Sequence, residues 1–332
     1  MEDFDKLFYD IASLKVAVIG DVMLDTYWWG KVERISPEAP VPVVMLEKKE
    51  QRLGGAGNVA LNTVSLGAKT ALFTVVGNDE DAKLLTQILA DNQIDTTYLI
   101  KSDSRITTNK TRVMGRNQQM MRLDTEITSD ISAEEEGQLL QNLDTYIQTE
   151  KPSVAIFEDY NKGVLTEGLI QKAIALCKQH GVVTAVDPKR KNFFAYKNTD
   201  IFKPNLKEVK EGLNVVLDDV NKHSLDDIHQ QLNAKLGHTT SLITLSEKGL
   251  FVQNAEHSKI IPTHIRTIAD VSGAGDTVIA VASLVYAANK NILLAAELAN
   301  LAGGLVCEEV GTAAIKKEKL LGECKLVFNR LT

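Results

Sequence analysis

The chain has 332 residues, 37 Lys+Arg against 44 Asp+Glu for a net charge of −7, and 44% hydrophobic against 24% charged residues. That balance belongs to a folded globular protein and excludes a disordered chain or a coiled coil. A polyanion-binding surface would need a basic excess, so no nucleic acid is expected and the partner is a small molecule. Cys177, Cys307 and Cys324 are widely spaced with no CxxC pair, which excludes a disulfide framework and a structural zinc site. The acidic start and the lack of a long apolar run predict no signal peptide, no membrane insertion and a cytoplasmic protein.

In chain order, Lys15-Val-Ala-Val-Ile-Gly20 reads as a buried strand closed by glycine. A helix is predicted over 58–66, a strand over 70–76, and a helix with an acidic first turn over 79–92. Further strands are predicted over 153–157, 182–186 and 241–245, with helices over 166–180, 274–288 and 292–308. This alternation predicts a parallel sheet covered on both faces, with ligands at the carboxyl ends of its strands. Two segments break the rhythm. Residues 21–52 hold Trp28, Trp29 and three prolines, and 96–124 hold β-rich pieces around the hairpin-like Gly115-Arg-Asn117. Both are read as strands that leave the main sheet to form a small lid.

Five segments could carry chemistry. In Asp270-Val-Ser-Gly-Ala-Gly-Asp276 a glycine-rich turn enters an apolar helix, so the amides of 273–276 offer first-turn donors for an anion. Asp276 beside them is either a base for an attacking hydroxyl or only a helix cap. Gly54-Gly-Ala-Gly-Asn58 follows a charged stretch rather than a strand, so it makes a poor dinucleotide fingerprint. It reads either as a glycine turn offering amides and Asn58 to sugar hydroxyls or as a capped helix start. Asp21, directly after the first strand, suits two vicinal hydroxyls. In Lys203-Pro-Asn205-Leu-Lys-Glu208 the Asn–Glu spacing fits a capping box or the water shell of Mg²⁺, and Lys189 is a candidate phosphate-facing cation. Arg34, Lys110, Arg112, Arg116 and Arg122 concentrate positive charge in the lid, as a phosphorylated substrate would require. Protection of exposed strand edges is the other reading.

These motifs, in this order, resemble the ribokinase-like (PfkB) carbohydrate kinases over 15–312. Gly20-Asp-Val-Met-Leu-Asp25, Arg34-Ile-Ser-Pro-Glu-Ala-Pro-Val-Pro-Val43, Arg116-Asn-Gln-Gln119 and Arg122-Leu-Asp124 are similar to the D-glycero-β-D-manno-heptose-7-phosphate kinases. The resemblance implies an α/β fold, a three-layer α/β/α sandwich with a mainly parallel sheet and a small β lid. It implies one domain over 1–332 with lid strands from about 22–52 and 96–124. It implies ATP, Mg²⁺ and a sugar phosphate, with transfer to O1 of the heptose 7-phosphate to give the 1,7-bisphosphate for ADP-heptose and lipopolysaccharide synthesis. Asp276 is then the base, with Gly273, Ala274 and Gly275 as the anion hole. Asn205, Leu206, Lys207 and Glu208 lie at the ATP phosphates, Glu208 reaching Mg²⁺ through water. Ser246, Gly249, Asn300 and Gly303 line the nucleotide site. Asp21, Gly54, Gly55, Asn58, Lys110 and Arg122 hold the sugar phosphate. Asp270 and Ser272, with backbone near Gly311, correspond to a K⁺ loop in some relatives. The departures are Gly57 where alanine is frequent and Ser272 where threonine is frequent.

Many such kinases are fused to an adenylyltransferase; no HxGH motif occurs here, which implies the kinase half alone. Exposed lid edges imply a homodimer through the lid. A kinase of the same fold for fructose 6-phosphate or ribose is the alternative, against which the 34–43 and 116–124 segments weigh. A non-catalytic sugar or nucleotide sensor is a third, and Asp276 weighs against it.

Overall fold

The computed structural model describes residues 3–115, 118–217, 219–264 and 266–329. In chain order the elements are α1 (Phe4–Ala12), β1 (Lys15–Gly20), β2 (Val22–Ile35), β3 (Pro42–Gly55), α2 (Ala56–Ser65), β4 (Lys69–Gly77), α3 (Glu80–Asp91) and β5 (Leu99–Ser102). They continue with β6 (Asn109–Gly115), β7 (Gln118–Thr125), α4 (Ala133–Glu150), β8 (Val154–Glu158), α5 (Glu167–Gln179), β9 (Val183–Asp187), β10 (Ile201–Phe202), α6 (Leu206–Leu213) and α7 (Lys222–Leu236). The last are β11 (Thr240–Thr244), β12 (Leu250–Gln253), β13 (Ser258–Ile261), α8 (Ala274–Asn289), α9 (Ile292–Val306) and α10 (Lys317–Asn329).

Nine strands form the main sheet in the order β13-β12-β11-β10-β9-β8-β1-β4-β5. It is parallel from β11 to β5, and β12 and β13 add an antiparallel edge. The period-two alternation of a strand sends β1 side chains to both faces. Val16 and Val18 join a core with α1, α2, α3, α8, α9 and α10, while Ala17 and Ile19 join a second core with α4, α5, α6 and α7. The result is the expected three-layer sandwich. Its parallel strands deliver Asp21, Glu158, Asp187 and Lys203 to one edge, where ligands of such sheets bind.

The lid is a four-stranded sheet, β3-β2-β6-β7. The second lid segment needs correcting at its start. Residues 99–102 are β5, which returns to the main sheet beside β4 through α3 as an ordinary parallel crossover. The lid strands of that segment begin only at Asn109. β6 and β7 pair antiparallel out to Gly115↔Gln118, as a hairpin requires. The turn residues Arg116 and Asn117, including the basic side chain expected at 116, lie outside the described residues.

Candidate active site

Helix α8 begins at Gly273, which sits in the left-handed region at φ 79°. A Cβ there would lie 2.7 Å from Asn58 Nδ2, so both the backbone conformation and the close approach demand glycine. The amides of the first turn have no partner inside the helix, and the helix dipole adds positive potential. Asp276 stands in that turn, 3% exposed. Asn58 Nδ2 donates to its Oδ2 at 2.7 Å and the Tyr160 hydroxyl to its Oδ1 at 2.9 Å. Burial pushes its pKa up to about 6, against the pull of the Asn58 bond and with help from the nearby Asp187. A carboxylate with a pKa just below neutral is ionised at pH 7 and able to accept a proton.

Behind Asp276 lies a buried charge cluster. Glu158, Asp187 and Asp276 each present a carboxylate oxygen within 4.8 Å of the others. Lys203, itself 2% exposed, donates to Asp187 at 2.7 Å, and Lys189 reaches Asp187 at 3.2 Å and Glu208 at 2.8 Å. Burial alone would raise Asp187, but the two ammonium groups outweigh it and hold its pKa low. Glu158 is fully buried with both oxygens unpartnered among the described residues. Burial, then Asp187 and Asp276, push its pKa well up, which favours the neutral acid. An all-oxygen donor set of this kind fits a hard divalent cation such as Mg²⁺. Glu208 closes a capping box with Asn205, its Oε2 accepting from the Asn205 amide at 2.8 Å. The capping reading of that motif is the one observed, and Lys189 links Glu208 to Asp187. Leu206 packs on the second core, and Lys207 points into solvent beside Glu211, so these two side chains flank the cluster without reaching it.

The lid register fixes which basic residues face inward. Asp25 pairs with Arg52 and Lys110, Tyr27 with Glu50 and Arg112, and Lys110 and Arg112 with Asp124 and Arg122. Directly paired residues share a face, so Asp25, Tyr27, Arg52, Lys110, Arg112 and Arg122 all lie on one. It is turned to the site: Lys110 Nζ sits 5.2 Å above the Tyr160 ring, and Lys189 lies 5.3 Å from the same ring. Arg122 is half-exposed and held by Asp124, and Arg34 is exposed towards the far end of β2.

Three sequence readings change. Asp21 does not offer its carboxylate to sugar hydroxyls: it accepts from the amides of Tyr160, Lys162 and Val164 at 2.8–3.1 Å and anchors the loop that carries Tyr160. Asn58 is turned to Asp276 rather than to a sugar. The acidic residue on the inward face of the lid is Asp25, paired with Arg112 at 2.6 Å and close to Gly54, where a Cβ would lie 2.7 Å from Asp25 Oδ2. Gly55, at φ 57°, turns the chain from β3 into α2. At the expected K⁺ loop the oxygens are engaged by the protein's own donors. Both oxygens of Asp270 accept from Ser272 and Gly311, and the neighbouring carbonyls of Val310 and Thr312 accept from Arg52. Tyr160, Glu158 and Lys203 went unread because a tyrosine, a glutamate and a lysine at strand ends carry no motif. Their place at the carboxyl edge was the available signal.

On the other side of the α8 start a cavity of about 540 Å³ is lined by Ser246, Gly249, Asn300, Gly303, Ala274 and Gly275 among others. It brings the expected nucleotide residues together against the same helix start. Arg266, bridged to Glu308 and Glu323, also borders it. A larger cavity, about 800 Å³, opens at the opposite end of α8 around His229 and His238, away from Asp276. Among the described residues no helix is long and apolar enough to cross a membrane.

A family model described as pfkB family carbohydrate kinase matches residues 13–319. Among curated proteins, the bifunctional protein HldE of Geobacter sulfurreducens is 37% identical over 97% of this chain and 65% of its own length. HldE of Methylobacillus flagellatus is 41% identical over 92% of this chain and 62% of its own length. The chain thus spans a little under two thirds of these relatives. Among solved structures, Escherichia coli phosphofructokinase-2 in complex with potassium aligns at TM-score 0.79, 17% identity, over 96% of this chain and all of that one. Arabidopsis thaliana ribokinase complexed with ribose and ATP aligns at TM-score 0.72, 16% identity, over 93% of this chain and 99% of that one.

Proposed function

The chain belongs to the pfkB family of carbohydrate kinases, and from that premise we propose that it transfers the γ-phosphoryl group of ATP to O1 of D-glycero-β-D-manno-heptose 7-phosphate. The observation that carries the reading is Asp276: a buried carboxylate with pKa about 6, at a helix N-terminus between a nucleotide-sized cavity and a basic lid face. The substrate is narrowed by the lid segments described above and by the HldE relatives, which match over nearly the whole chain.

Asp276 takes the O1 proton as that oxygen attacks phosphorus. Asn58 and Tyr160 hold the carboxylate so that its reactive oxygen is oriented, and their donors favour the ionised base before transfer. The first-turn amides of α8 receive the developing negative charge, with Lys203 close to Gly275 in that turn. Glu158 and Asp187, with Glu208 close by, would hold a hydrated Mg²⁺, which when bound would neutralise charge on the nucleotide phosphates. On the sugar side Asp25 faces hydroxyls, while Lys110, Arg112 and Arg122 suit the 7-phosphate. The lid covers the sugar and limits water attack on ATP.

ATP consumption against a panel of sugar 7-, 6- and 5-phosphates and free sugars tests this, with Asp276→Asn as control. Heptose 7-phosphate is expected to give the highest kcat/KM. The Asn variant should lose about 10² to 10⁴ in turnover while keeping ATP binding. Preference for fructose 6-phosphate or ribose would move the chain to another substrate. Near-normal turnover of the variant would remove Asp276 as the base.

A further inference from the structure

Monovalent-cation sites in proteins are built from converging backbone carbonyls, and residues 310–312 form such a place beside the anion hole. The Gly311 amide donates to Asp270 Oδ2 at 2.9 Å, while Asp270 Oδ1 accepts from the amide and hydroxyl of Ser272 at 2.9 and 2.8 Å. Asp270 thereby ties 310–312 to the turn that enters α8. The carbonyls of Val310 and Thr312 accept from Arg52 Nη1 at 2.7 and 3.1 Å. The rest of the guanidinium is fixed too. Its Nε and Nη2 lie 2.7 and 2.6 Å from Glu50 Oε1, and its plane lies over the Tyr27 ring at 5.2 Å.

Gly311 gives an independent sign that the loop is shaped around this side chain. It sits at φ 74°, and a Cβ there would come within 2.6 Å of Arg52 Nη1 and 2.9 Å of the Tyr27 hydroxyl. A planar, permanently charged fork holding two carbonyls does what a desolvated ion would do, without needing to be captured from solution.

We propose that Arg52 is a tethered cation in this protein: its guanidinium holds the Val310 and Thr312 carbonyls, and through Asp270 the turn that forms the anion hole, so that K⁺ is not required. The inference rests on the kinase reading only in calling that turn an anion hole. Because Arg52 belongs to lid strand β3, the charge that braces the nucleotide side arrives with the sugar-side lid, and the two halves of the site are mechanically joined.

The experiment compares wild type and Arg52→Ala in potassium, sodium and choline chloride at equal ionic strength, reading the thermal unfolding midpoint and ATP turnover. Wild type is expected to show the same midpoint in all three salts and turnover within about twofold, as an already satisfied site binds no further ion. Arg52→Ala should lose about tenfold or more in turnover in choline, the scale of losing charge-assisted hydrogen bonds, and regain part of it, with a higher midpoint, in potassium alone. A wild type that gains several-fold in turnover and several degrees from K⁺ over choline overturns the proposal, and so does an Arg52→Ala protein equal to wild type in choline. If that variant does not fold, the wild-type salt series decides by itself. A wild type indifferent to K⁺ in unfolding that consumes no ATP with any sugar would leave the role of Arg52 standing and remove the kinase reading.

Discussion

β8 and β7 are both sheet strands, yet all five residues of β8 are buried and all eight of β7 are exposed. β8 sits between β1 and β9 with helices on both faces, so side-chain burial holds it. β7 is the outer strand of the lid, held by its pairing with β6; its Arg122–Asp124 charge pair lies within the strand and contributes little. The protein therefore joins a deeply buried sheet edge, where Asp276 and its charged neighbours stand, to a lid whose outer strand is exposed. Elements that must close over a substrate are drawn from the low-stability end of a fold.

Stability measurements can break this comparison. Phe157, fully buried in β8 and packed near Tyr196, should cost about 3–5 kcal/mol when changed to Ala. Leu123→Ala on β7, where the side chain is exposed, should stay within about 0.5 kcal/mol. Equal losses in urea unfolding would mean that the lid is as firmly packed as the core.

A second effect arises at the buried edge itself. Asp276 has its pKa raised by burial to about 6 from an ordinary 3.8. A raised acid is no burden below its unfolded pKa, becomes one as pH climbs between the two values, and carries the full penalty above the folded value. Two units correspond to about 3 kcal/mol at neutral pH and above. Asp276→Asn, which stays neutral, should thus be more stable than wild type by about 2–3 kcal/mol at about pH 8, with the gain shrinking towards pH 4. The expected pattern is an inactive variant with a higher melting temperature. A gain independent of pH would show that the carboxylate is not strained by its burial.

Next in size is Tyr160→Phe. The hydroxyl at 2.9 Å favours ionised Asp276, so its loss should raise the pKa of the base. The acid limb of kcat/KM should move up from about pH 6 by about one unit, the scale of one hydrogen bond to a charged group. An unmoved limb with lowered turnover would assign Tyr160 to substrate contact instead.

The same contrast explains what the sequence made legible. Strands buried on both faces are continuous apolar runs, so Lys15-Val-Ala-Val-Ile-Gly20 and the strands over 154–158, 183–187 and 240–244 could be read to within a residue or two. Gly273 and Asp276 were visible because a left-handed turn before an apolar helix needs glycine in a recognisable order. The lid resisted: its inward and outward sides differ by register, and Asp21 and Asp25 cannot be told apart until pairing with Gly55–Arg52 is known. Helices α1, α4, α7 and α10 were missed because their exposed faces are so charged that the buried stripe, such as Leu139, Leu143, Tyr146 and Ile147 of α4, is thin. Glu158 and Lys203 form one cluster only in three dimensions, being joined by neighbouring strand ends rather than by spacing along the chain.

The smallest expected change in unfolding belongs to the lid's outer face, and there the comparison can be sharpened. The register that turns Lys110 and Arg112 inward turns Met121 and Leu123 outward, and both are about half-exposed. Apolar side chains on an open four-stranded sheet are stable against water only at a cost, and a second copy of the same sheet is the simplest cover. Leu123→Lys should leave monomer unfolding within about 0.5 kcal/mol of wild type, yet weaken self-association by about tenfold, since burying an unpaired charge at a contact costs more than exposing it. Light scattering across a dilution series reads the difference. A wild type that stays monomeric throughout would leave the lid an uncovered sheet, and its stability would then rest on backbone pairing alone.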